Sequence, residues 1–206
     1  MIHSNVEKVN PTIERVKSDV MDLLDRGLSK DLCFHNKEHT LGVYESAKRY
    51  AELEGISSAE KRLLLMAALF HDTGFTKQYE NNEPIGVEIA EAMLPQYGYS
   101  PQDIKVVTGI ILATKMPQKP RNHLQQIICD VDLDHLGRDG FFKKGELLRK
   151  EWAIFLKRNY SDREWYKLQI DFLESHQYFT ASARNLRDAG VLKNIERLGE
   201  LRDKSE

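Results

Sequence analysis

The sequence has few of the features that mark secreted, membrane-spanning or nucleic-acid-binding proteins. Its 206 residues include only two cysteines, Cys33 and Cys129, whose separation favours two reduced thiols over a disulfide or a zinc site. The longest strongly apolar run, residues 63–70, is far shorter than the roughly 20 residues that span a bilayer. The first ten residues lack the apolar segment of a secretory signal, and the formal net charge is only −2. We therefore expect a cytoplasmic protein without a membrane or a nucleic-acid polymer as partner.

Alternating runs of β-branched residues, which predict strands, are also nearly absent. The composition, 41% hydrophobic and 30% charged, is that of a globular chain with a sizeable core. Apolar residues instead recur at helical spacing. This spacing predicts helices at about 9–24, 36–54, 57–70, 85–96, 101–114, 124–136, 141–159, 162–174 and 180–201, with a polar loop at 79–84. We expect a single all-α domain over residues 1–206, in which helices over 141–203 pack on a core formed by 35–136.

The run of residues 63–70 is apolar on every face of its predicted helix, which marks that helix as the buried centre of the domain. Its end delivers His71 and Asp72, and a following Thr-Gly pair predicts a turn in which both side chains can face one ion. His39 lies upstream in HNKEHT, near the start of a helix, and His35 is the alternative to it. Two imidazoles together with carboxylates form a mixed nitrogen and oxygen donor set that suits a divalent metal.

Further carboxylates lie downstream in the segment CDVDLDHLG. Asp130 and Asp134 are four residues apart and share a helix face, whereas Asp132 points in another direction. The three carboxylates therefore cannot all bind one ion, and the spacing alone does not decide which face is used. His135, three residues beyond Asp132, is a further candidate to approach the site.

In this combination the sequence resembles the HD superfamily of metal-dependent phosphohydrolases, most closely its small stand-alone bacterial members. The resemblance is carried by HNKEHT, AALFHDTGF, the helix headed by Glu83, ILATK and CDVDLDHLG in that order, and it extends into LRKEW and FLESHQYFT. It implies an all-α helical bundle with the His-Asp doublet on a buried central helix. It also implies that His39, His71, Asp72 and Asp132 hold one divalent ion, for which Mn, Mg, Co, Ni, Zn and Fe are the candidates.

The resemblance further implies a mechanism. The ion would polarise a phosphoryl group and lower the pKa of a bound water, which then attacks the phosphate ester of a small, nucleotide-like substrate. Asp72 is the expected catalytic carboxylate at the ion, and Glu83 is expected to orient the water. Because two carboxylates already neutralise the ion, cations are needed to bind the anionic substrate. The candidates, from loops expected to face the site, are Lys77, Lys115, Lys119 and Arg121. Lys115 is the preferred catalytic cation, since it ends the ILATK helix.

Other residues allow more than one interpretation. His176, in FLESHQYFT, is either hydrogen-bonded in a turn or in contact with the substrate, since the resemblance reaches this segment. Asp130 and Asp134 are interpreted as supports of the ligands or as solvent-facing groups, and Lys143-Lys144 as a solvated face. Aromatic residues at helical spacing indicate core or a dimer surface rather than a platform for stacking bases, and they leave a homodimer open; these are Trp152, Trp165, Tyr166 and Phe172.

Two other functions stay open. The chain could be a catalytically inactive nucleotide-binding or regulatory HD module, although an intact set of four ligands argues against decay. It could also be an HD-fold oxygenase with two irons, but no histidine occurs between Asp72 and His123. Asn82-Glu83 also stands where some relatives have His-Glu. One metal ion is therefore the expected content, and hydrolysis of a small-molecule phosphate the expected reaction.

Overall fold

The computed structural model describes residues 11–205, which fold into nine α-helices and three short 3-10 helices. The α-helices are α1 (Pro11–Gly27), α2 (Lys37–Leu53), α3 (Ser58–Phe70), α4 (Asn82–Met93), α5 (Pro101–Ala113), α6 (His123–Asp132), α7 (Phe141–Phe155), α8 (Asp162–Ser175) and α9 (Ala181–Lys204). The 3-10 helices are Thr73–Thr76, Leu94–Tyr97 and Asp134–Gly137. No strand occurs in this part of the chain, so the all-α prediction is confirmed. The predicted helix start at residue 9 lies outside the described residues.

Helix α3 is the buried centre of the fold. A capping box closes its N-terminus: the Ser57 hydroxyl accepts from the Glu60 N–H, and the Glu60 carboxylate accepts from the Ser57 N–H. Each residue from 63 to 70 is at most 9% exposed, because α1, α2, α4, α5 and α6 all pack against this helix. A helix covered in this way needs an apolar surface on every side. None of the described helices is long and apolar enough to span a membrane.

The segment that follows the His-Asp pair differs from the predicted polar loop over 79–84. Helix α4 already begins at Asn82, because Asn81 takes a left-handed conformation (φ 55°) that turns the chain into the helix. Pro84 is tolerated there, since the first N–H groups of a helix have no intrahelical partner. Gly74 allows the close approach of the two segments: a Cβ at this position would lie 1.9 Å from the Asn82 carbonyl oxygen. The first turn of α4 therefore lies against the turn that ends α3.

Two buried aspartates tie the C-terminal helices to the rest of the chain. Asp130 is 0% exposed and accepts hydrogen bonds of 2.8 Å from the N–H groups of Phe179 and Thr180, where the chain enters α9. Asp134 is 2% exposed and accepts from the Tyr50 hydroxyl and, through an ion pair, from the Arg187 guanidinium of α9. The interpretation of these two aspartates as solvent-facing groups is therefore wrong, because both are buried and hold distant helices together.

Candidate metal centre

Four side chains from three separate segments of the chain meet at one point. His39 Nε2 lies 3.1 Å from Asp132 Oδ1 and 3.3 Å from Asp72 Oδ2. His71 Nε2 lies 3.1 Å from Asp72 Oδ2, 3.4 Å from His39 Nε2 and 3.6 Å from Asp132 Oδ1. The structure thus brings together the four residues predicted as metal ligands, two through ring nitrogens and two through carboxylate oxygens.

Each of the four residues stands at or next to the end of a helix. His39 is in the first turn of α2, where its N–H donates to the side chain of Asn36, the N-cap of this helix. His71 follows the last residue of α3, whereas Asp72 has left the helix (φ −106°, ψ 6°). Asp132 is the last residue of α6. Because the chain turns after His71, two adjacent side chains can face one point, which a continuing helix would hold about 100° apart.

Neighbouring groups leave the ligand atoms facing the centre. His71 Nδ1 donates to the Ala68 carbonyl at 2.9 Å, which leaves Nε2 unprotonated in the neutral ring. Asn82 Nδ2 donates to Asp72 Oδ1 at 3.4 Å, while Asp72 Oδ2 faces both histidines. His39 Nδ1 is buried and has no hydrogen-bond partner in the described part of the chain. A second ligand atom held by a neighbouring group, as at His71 and Asp72, is typical of metal sites in proteins, and His39 departs from this pattern.

The electrostatics of the cluster favour a cation at its centre. Burial alone would lower the pKa of His39 and His71, but the carboxylates of Asp132 and Asp72 outweigh it and raise the pKa of both histidines. Burial would likewise raise the pKa of both carboxyl groups, but the adjacent histidines hold it below its ordinary value. The carboxylates are therefore ionised at neutral pH. Positive charge stabilises the four groups together, and either protons on the rings or a bound cation can supply it.

The donor set fits one divalent ion. His39, His71 and Asp72 place ligand atoms within 4.8 Å of one another, and this is the one such cluster among residues 11–205. Imidazole nitrogen suits Zn, Fe and Ni, and carboxylate oxygen suits Mg and Mn. His123, the next histidine along the chain, is exposed and pairs with Glu54 at 2.8 Å. It therefore lies apart from the cluster and brings no ligand for a second ion.

A cavity of about 410 Å³ lies beside the four groups. Asp72 and Asp132 form part of its wall, together with Glu83 from the first turn of α4. Another part of the wall comes from one face of each of two helices: Phe141, Lys144, Gly145, Leu148 and Trp152 on α7, and Trp165, Leu168, Gln169 and Phe172 on α8. The interpretation of the aromatic residues as core or dimer surface is therefore incomplete, since three of the four line the cavity. Its volume is in the range of small-molecule pockets, about 300–1,000 Å³.

The lysine that lines this cavity differs from the predicted ones. Lys144 is half-buried on the wall, and burial lowers the pKa of its ammonium group, so its interpretation as part of a solvated face is wrong. Lys115 is exposed and donates to Asn81 Oδ1 at 2.8 Å. A neighbouring depression, which adjoins the cavity at Met116, is lined by Lys115, Lys119 and Arg121. None of the four residues predicted to bind the substrate lines this cavity in the described part of the chain; these are Lys77, Lys115, Arg121 and His176.

His35 and Glu151 form a pair that sequence reasoning missed. Glu151 of α7 is 0% exposed, and its two oxygens accept from the His35 ring, from the N–H groups of Phe34 and His35, and from the Tyr79 hydroxyl. His35 lines the cavity, and its ring stacks on Phe75. His35 is therefore held by a buried carboxylate beside the cluster rather than replacing His39 in it. The sequence did offer one signal for this pair: both segments that carry the family resemblance at these points contain one of its residues, His35 in HNKEHT and Glu151 in LRKEW.

Two further histidines have different surroundings. His135 lines the cavity, and its Nδ1 donates to the Asp132 carbonyl at 3.3 Å. Burial and the nearby Lys144 lower the pKa of His135 to about 3, so its ring is neutral at physiological pH. His176 follows the last residue of α8, where its ring stacks on Phe172. The structure therefore brings His135 next to the cluster and leaves His176 outside the cavity wall.

Comparison with known proteins agrees with this arrangement. The family model for the HD domain matches residues 36–136, which contain all four converging residues. The chain is 30% identical over 99 residues to an uncharacterized protein of Clostridium beijerinckii, which is 47% of this chain and 62% of that protein. The chain thus spans less than two thirds of the length of this relative.

Two crystal structures share the fold at 19% sequence identity and a TM-score of 0.65 each. One is a predicted HD superfamily hydrolase from an uncultured Thermotogales bacterium, where the likeness covers 97% of this chain and 98% of that one. The other is Bacillus subtilis YpgQ in complex with ADP, where it covers 92% of this chain and 94% of that one. The chain contains an HD domain over residues 36–136, and helices α7 to α9 follow this segment.

Proposed function

We propose that this HD-domain protein is a metal-dependent phosphohydrolase that cleaves a phosphate ester of a small, nucleotide-like substrate. The observation that carries the proposal is the convergence of His39, His71, Asp72 and Asp132 beside a cavity whose wall includes Asp72 and Asp132. A structural metal site is closed by its ligands, whereas a catalytic one keeps a position open for water and substrate. The position of the cluster beside a cavity of about 410 Å³ supports a site of the second kind.

The protein's own residues prepare this site for one divalent ion. His39, His71, Asp72 and Asp132 would hold it, and when bound it would polarise a phosphoryl oxygen and lower the pKa of water. Because α3 is buried on every side, it presents His71 and Asp72 from a rigid support. Asn82 keeps the Asp72 carboxylate turned toward the histidines. The ligands therefore need little rearrangement to act.

Glu83 is proposed to orient the attacking water. It stands in the first turn of α4 on the cavity wall, directly after Asn82, whose side chain contacts Asp72. Its Oε2 is buried and has no hydrogen-bond partner among the described residues. Because the Glu83 side chain lines the cavity, its carboxyl group is placed to accept a hydrogen bond from a water molecule there.

Lys144 is proposed to stabilise negative charge on the substrate. It lines the same cavity as Asp72 and Asp132. A cation in a partly buried site interacts more strongly with a phosphoryl group than one in water does. The roles predicted for Lys115, Lys77, Arg121 and His176 stay predictions, and Lys115 and Arg121 would meet a substrate that extends past Met116.

A nucleotide-like substrate is supported by two observations. The cavity lies between the proposed metal ligands on one side and an aromatic wall on the other. This arrangement suits a molecule with a phosphate at one end, at the metal, and a ring at the other. A protein of the same fold, YpgQ, has been crystallised with ADP.

The test combines metal content and phosphate release on one untagged preparation. Elemental analysis is followed by a phosphate-release assay over nucleotides and simple phosphate esters, with added Mn, Mg, Co or Ni. We expect about one metal ion per chain, as in a mononuclear catalytic site, and metal-dependent release. Asp72→Ala is expected to lose both while the helical circular dichroism stays. Asp171→Ala, at an exposed aspartate paired with Lys167, is the matched control and is expected to keep both.

Each other outcome points elsewhere. Bound metal without release from any ester contradicts hydrolysis and favours a regulatory module. Two irons per chain with oxygen consumption would indicate an oxygenase. No bound metal after reconstitution contradicts the metal centre itself, and full activity of Asp72→Ala contradicts the assignment of its ligands.

A further inference from the structure

The ring of His135 has one nitrogen that is accessible and unpaired. His135 lines the cavity, and its Nδ1 donates to the backbone carbonyl of Asp132 at 3.3 Å. A carbonyl oxygen can only accept, so Nδ1 carries the proton of the neutral ring and Nε2 is an acceptor. In the described part of the chain Nε2 has no hydrogen-bond partner, and unlike Nδ1 of His39 it is not fully buried. A molecule in the cavity that meets this nitrogen therefore has to offer a donor.

Packing fixes the direction of this acceptor. The His135 ring meets the Phe34 ring at 64°, with centroids 5.3 Å apart. Phe34 is 8% exposed, and its ring lies 5.1 Å from the ring of His39, one of the proposed metal ligands. The N–H of Phe34 in turn donates to the buried Glu151 carboxylate at 2.8 Å. His135 is thus held from two sides, by the Asp132 carbonyl and by an anchored phenyl ring, next to the metal ligands.

The chemistry of this nitrogen limits what it can bind. Phosphate oxygens and an unprotonated ring nitrogen are both acceptors, so His135 Nε2 does not bind the phosphate group directly. Lys144, a cation on the wall of the same cavity, can do so. The alcohol part of a phosphate ester does contain donors, and its hydroxyl groups lie close to the phosphate. A deoxygenated group at the same place would leave the nitrogen without a donor and cost binding energy.

We propose that His135 is a specificity-determining residue that accepts a hydrogen bond from a sugar hydroxyl of the substrate. Nδ1 orients the ring on the Asp132 carbonyl, and Nε2 meets the hydroxyl while the phosphate lies at the metal ligands. The residue thereby favours ribose derivatives over their deoxy forms. The inference rests on the proposed function for the place of the phosphate, but the contact with the hydroxyl can be measured without it.

The test measures binding without catalysis on the full chain. Nucleosides contain the sugar but no phosphate ester, so they can be titrated into the protein with added Mn²⁺ and are not hydrolysed. Isothermal titration calorimetry compares adenosine with 2′-deoxyadenosine and 3′-deoxyadenosine. We expect one of the two deoxy compounds to bind about 5- to 10-fold more weakly than adenosine, as for one lost hydrogen bond. Equal binding of all three, or binding of none, overturns the proposal.

Two amide variants separate the roles of the two ring nitrogens. In His135→Asn the amide nitrogen takes the place of Nδ1, so it can keep the bond to the Asp132 carbonyl but offers no acceptor at Nε2. In His135→Gln the longer amide reaches the place of Nε2 and can accept there. We expect the preference for adenosine to disappear in His135→Asn and to return in part in His135→Gln.

The controls address position and folding. His123→Gln, at an exposed histidine that lies apart from the cluster, is the matched control and is expected to keep the full preference. Circular dichroism and thermal melting show whether each variant folds. His135→Leu, which removes both nitrogens and keeps an apolar contact with Phe34, takes the place of His135→Asn if that variant does not fold.

The hydroxyl contact and the phosphate chemistry fail in different ways. A preference for adenosine that is lost in His135→Asn, without phosphate release from any ester, supports the contact and contradicts hydrolysis. Equal binding of the three nucleosides, with metal-dependent phosphate release from their 5′-monophosphates, overturns the contact and leaves hydrolysis standing. An unchanged preference in a folded His135→Asn variant also overturns the contact, because another group then binds the hydroxyl.

Discussion

Asp130 and Asp132 are two residues apart on α6 but face different parts of the molecule. Asp132 Oδ1 lies 3.1 Å from His39 Nε2, whereas Asp130 accepts from two backbone N–H groups at the start of α9. Replacing each aspartate by alanine is therefore expected to separate metal binding from stability. Asp132→Ala should abolish metal binding with little change in stability, and Asp130→Ala should do the reverse.

The size of the Asp130→Ala effect follows from its hydrogen bonds. The variant leaves two N–H groups without their acceptor, and each such group costs about 1–3 kcal/mol if it stays buried. Burial raises the pKa of the Asp130 carboxyl, so removal of the charge recovers part of this cost. The expected loss is about 2–4 kcal/mol of the free energy of unfolding. For a domain of this size that lowers Tm by about 4–16 °C.

Asp132→Ala removes one of four ligands. Loss of even a group that only supports a ligand lowers metal affinity 10- to 100-fold, so we expect a decrease of about 100-fold or more. Metal per chain is measured by elemental analysis after dialysis at a fixed free metal concentration, well below the Tm of each variant. Thermal melting is followed by circular dichroism. Asp139→Ala, at an exposed aspartate nearby in the sequence, is the matched control and is expected to change neither quantity.

One result would refute this reasoning. If folded Asp130→Ala loses its metal while Asp132→Ala keeps about one ion per chain, the other face of α6 supplies the ligand. The distances between Asp132 and the two histidines would then have no functional meaning.

Four other substitutions test three separate parts of the site and the fold. Lys144→Ala is expected to lower kcat/KM for phosphate release about 100-fold, and Lys115→Ala to lower it much less; the opposite order would place the catalytic cation in the neighbouring depression. Glu83→Gln is expected to lower kcat about 100-fold with metal content unchanged, and a loss of metal would instead identify Glu83 as a ligand. For Asp134, burial alone would raise the pKa, but Arg187 outweighs it and lowers the pKa below its ordinary value. Its contribution to stability is therefore present above about pH 4 and lost as the pH falls through the lowered pKa. Asp134→Asn should consequently melt at a lower temperature at pH 7, and its Tm should fall less steeply below pH 4; a wild-type slope in this range would contradict that role.

The sequence by itself determined the helical class and the central helix. Periodicity is a local property, so the apolar run over 63–70 could be read without knowledge of the fold. The polar loop predicted over 79–84 was too long because Asn81 takes a left-handed conformation and α4 begins at Asn82, which lies close against the distant Gly74. The positions of His71 and Asp72 after α3 also follow from chain order alone.

The candidate ligands came from motif resemblance, and spacing left their geometry open. On a regular helix Asp132 diverges from Asp130 and Asp134, which share a face, but the local pattern does not say which face meets His39. The packing of α6 against α2 decides it, and it turns Asp130 toward the start of α9.

Only the tertiary structure decided which charged and aromatic groups share the cavity. The local sequence pattern does not distinguish the exposure of Lys144 from that of Lys115. In the structure, Lys144 is half-buried near Asp132, whereas Lys115 is exposed. His35 and Glu151 are 116 residues apart, and nothing local couples them. The physical reason is that exposure, pairing and pKa depend on segments that are distant in the chain, whereas propensity and periodicity depend only on near neighbours.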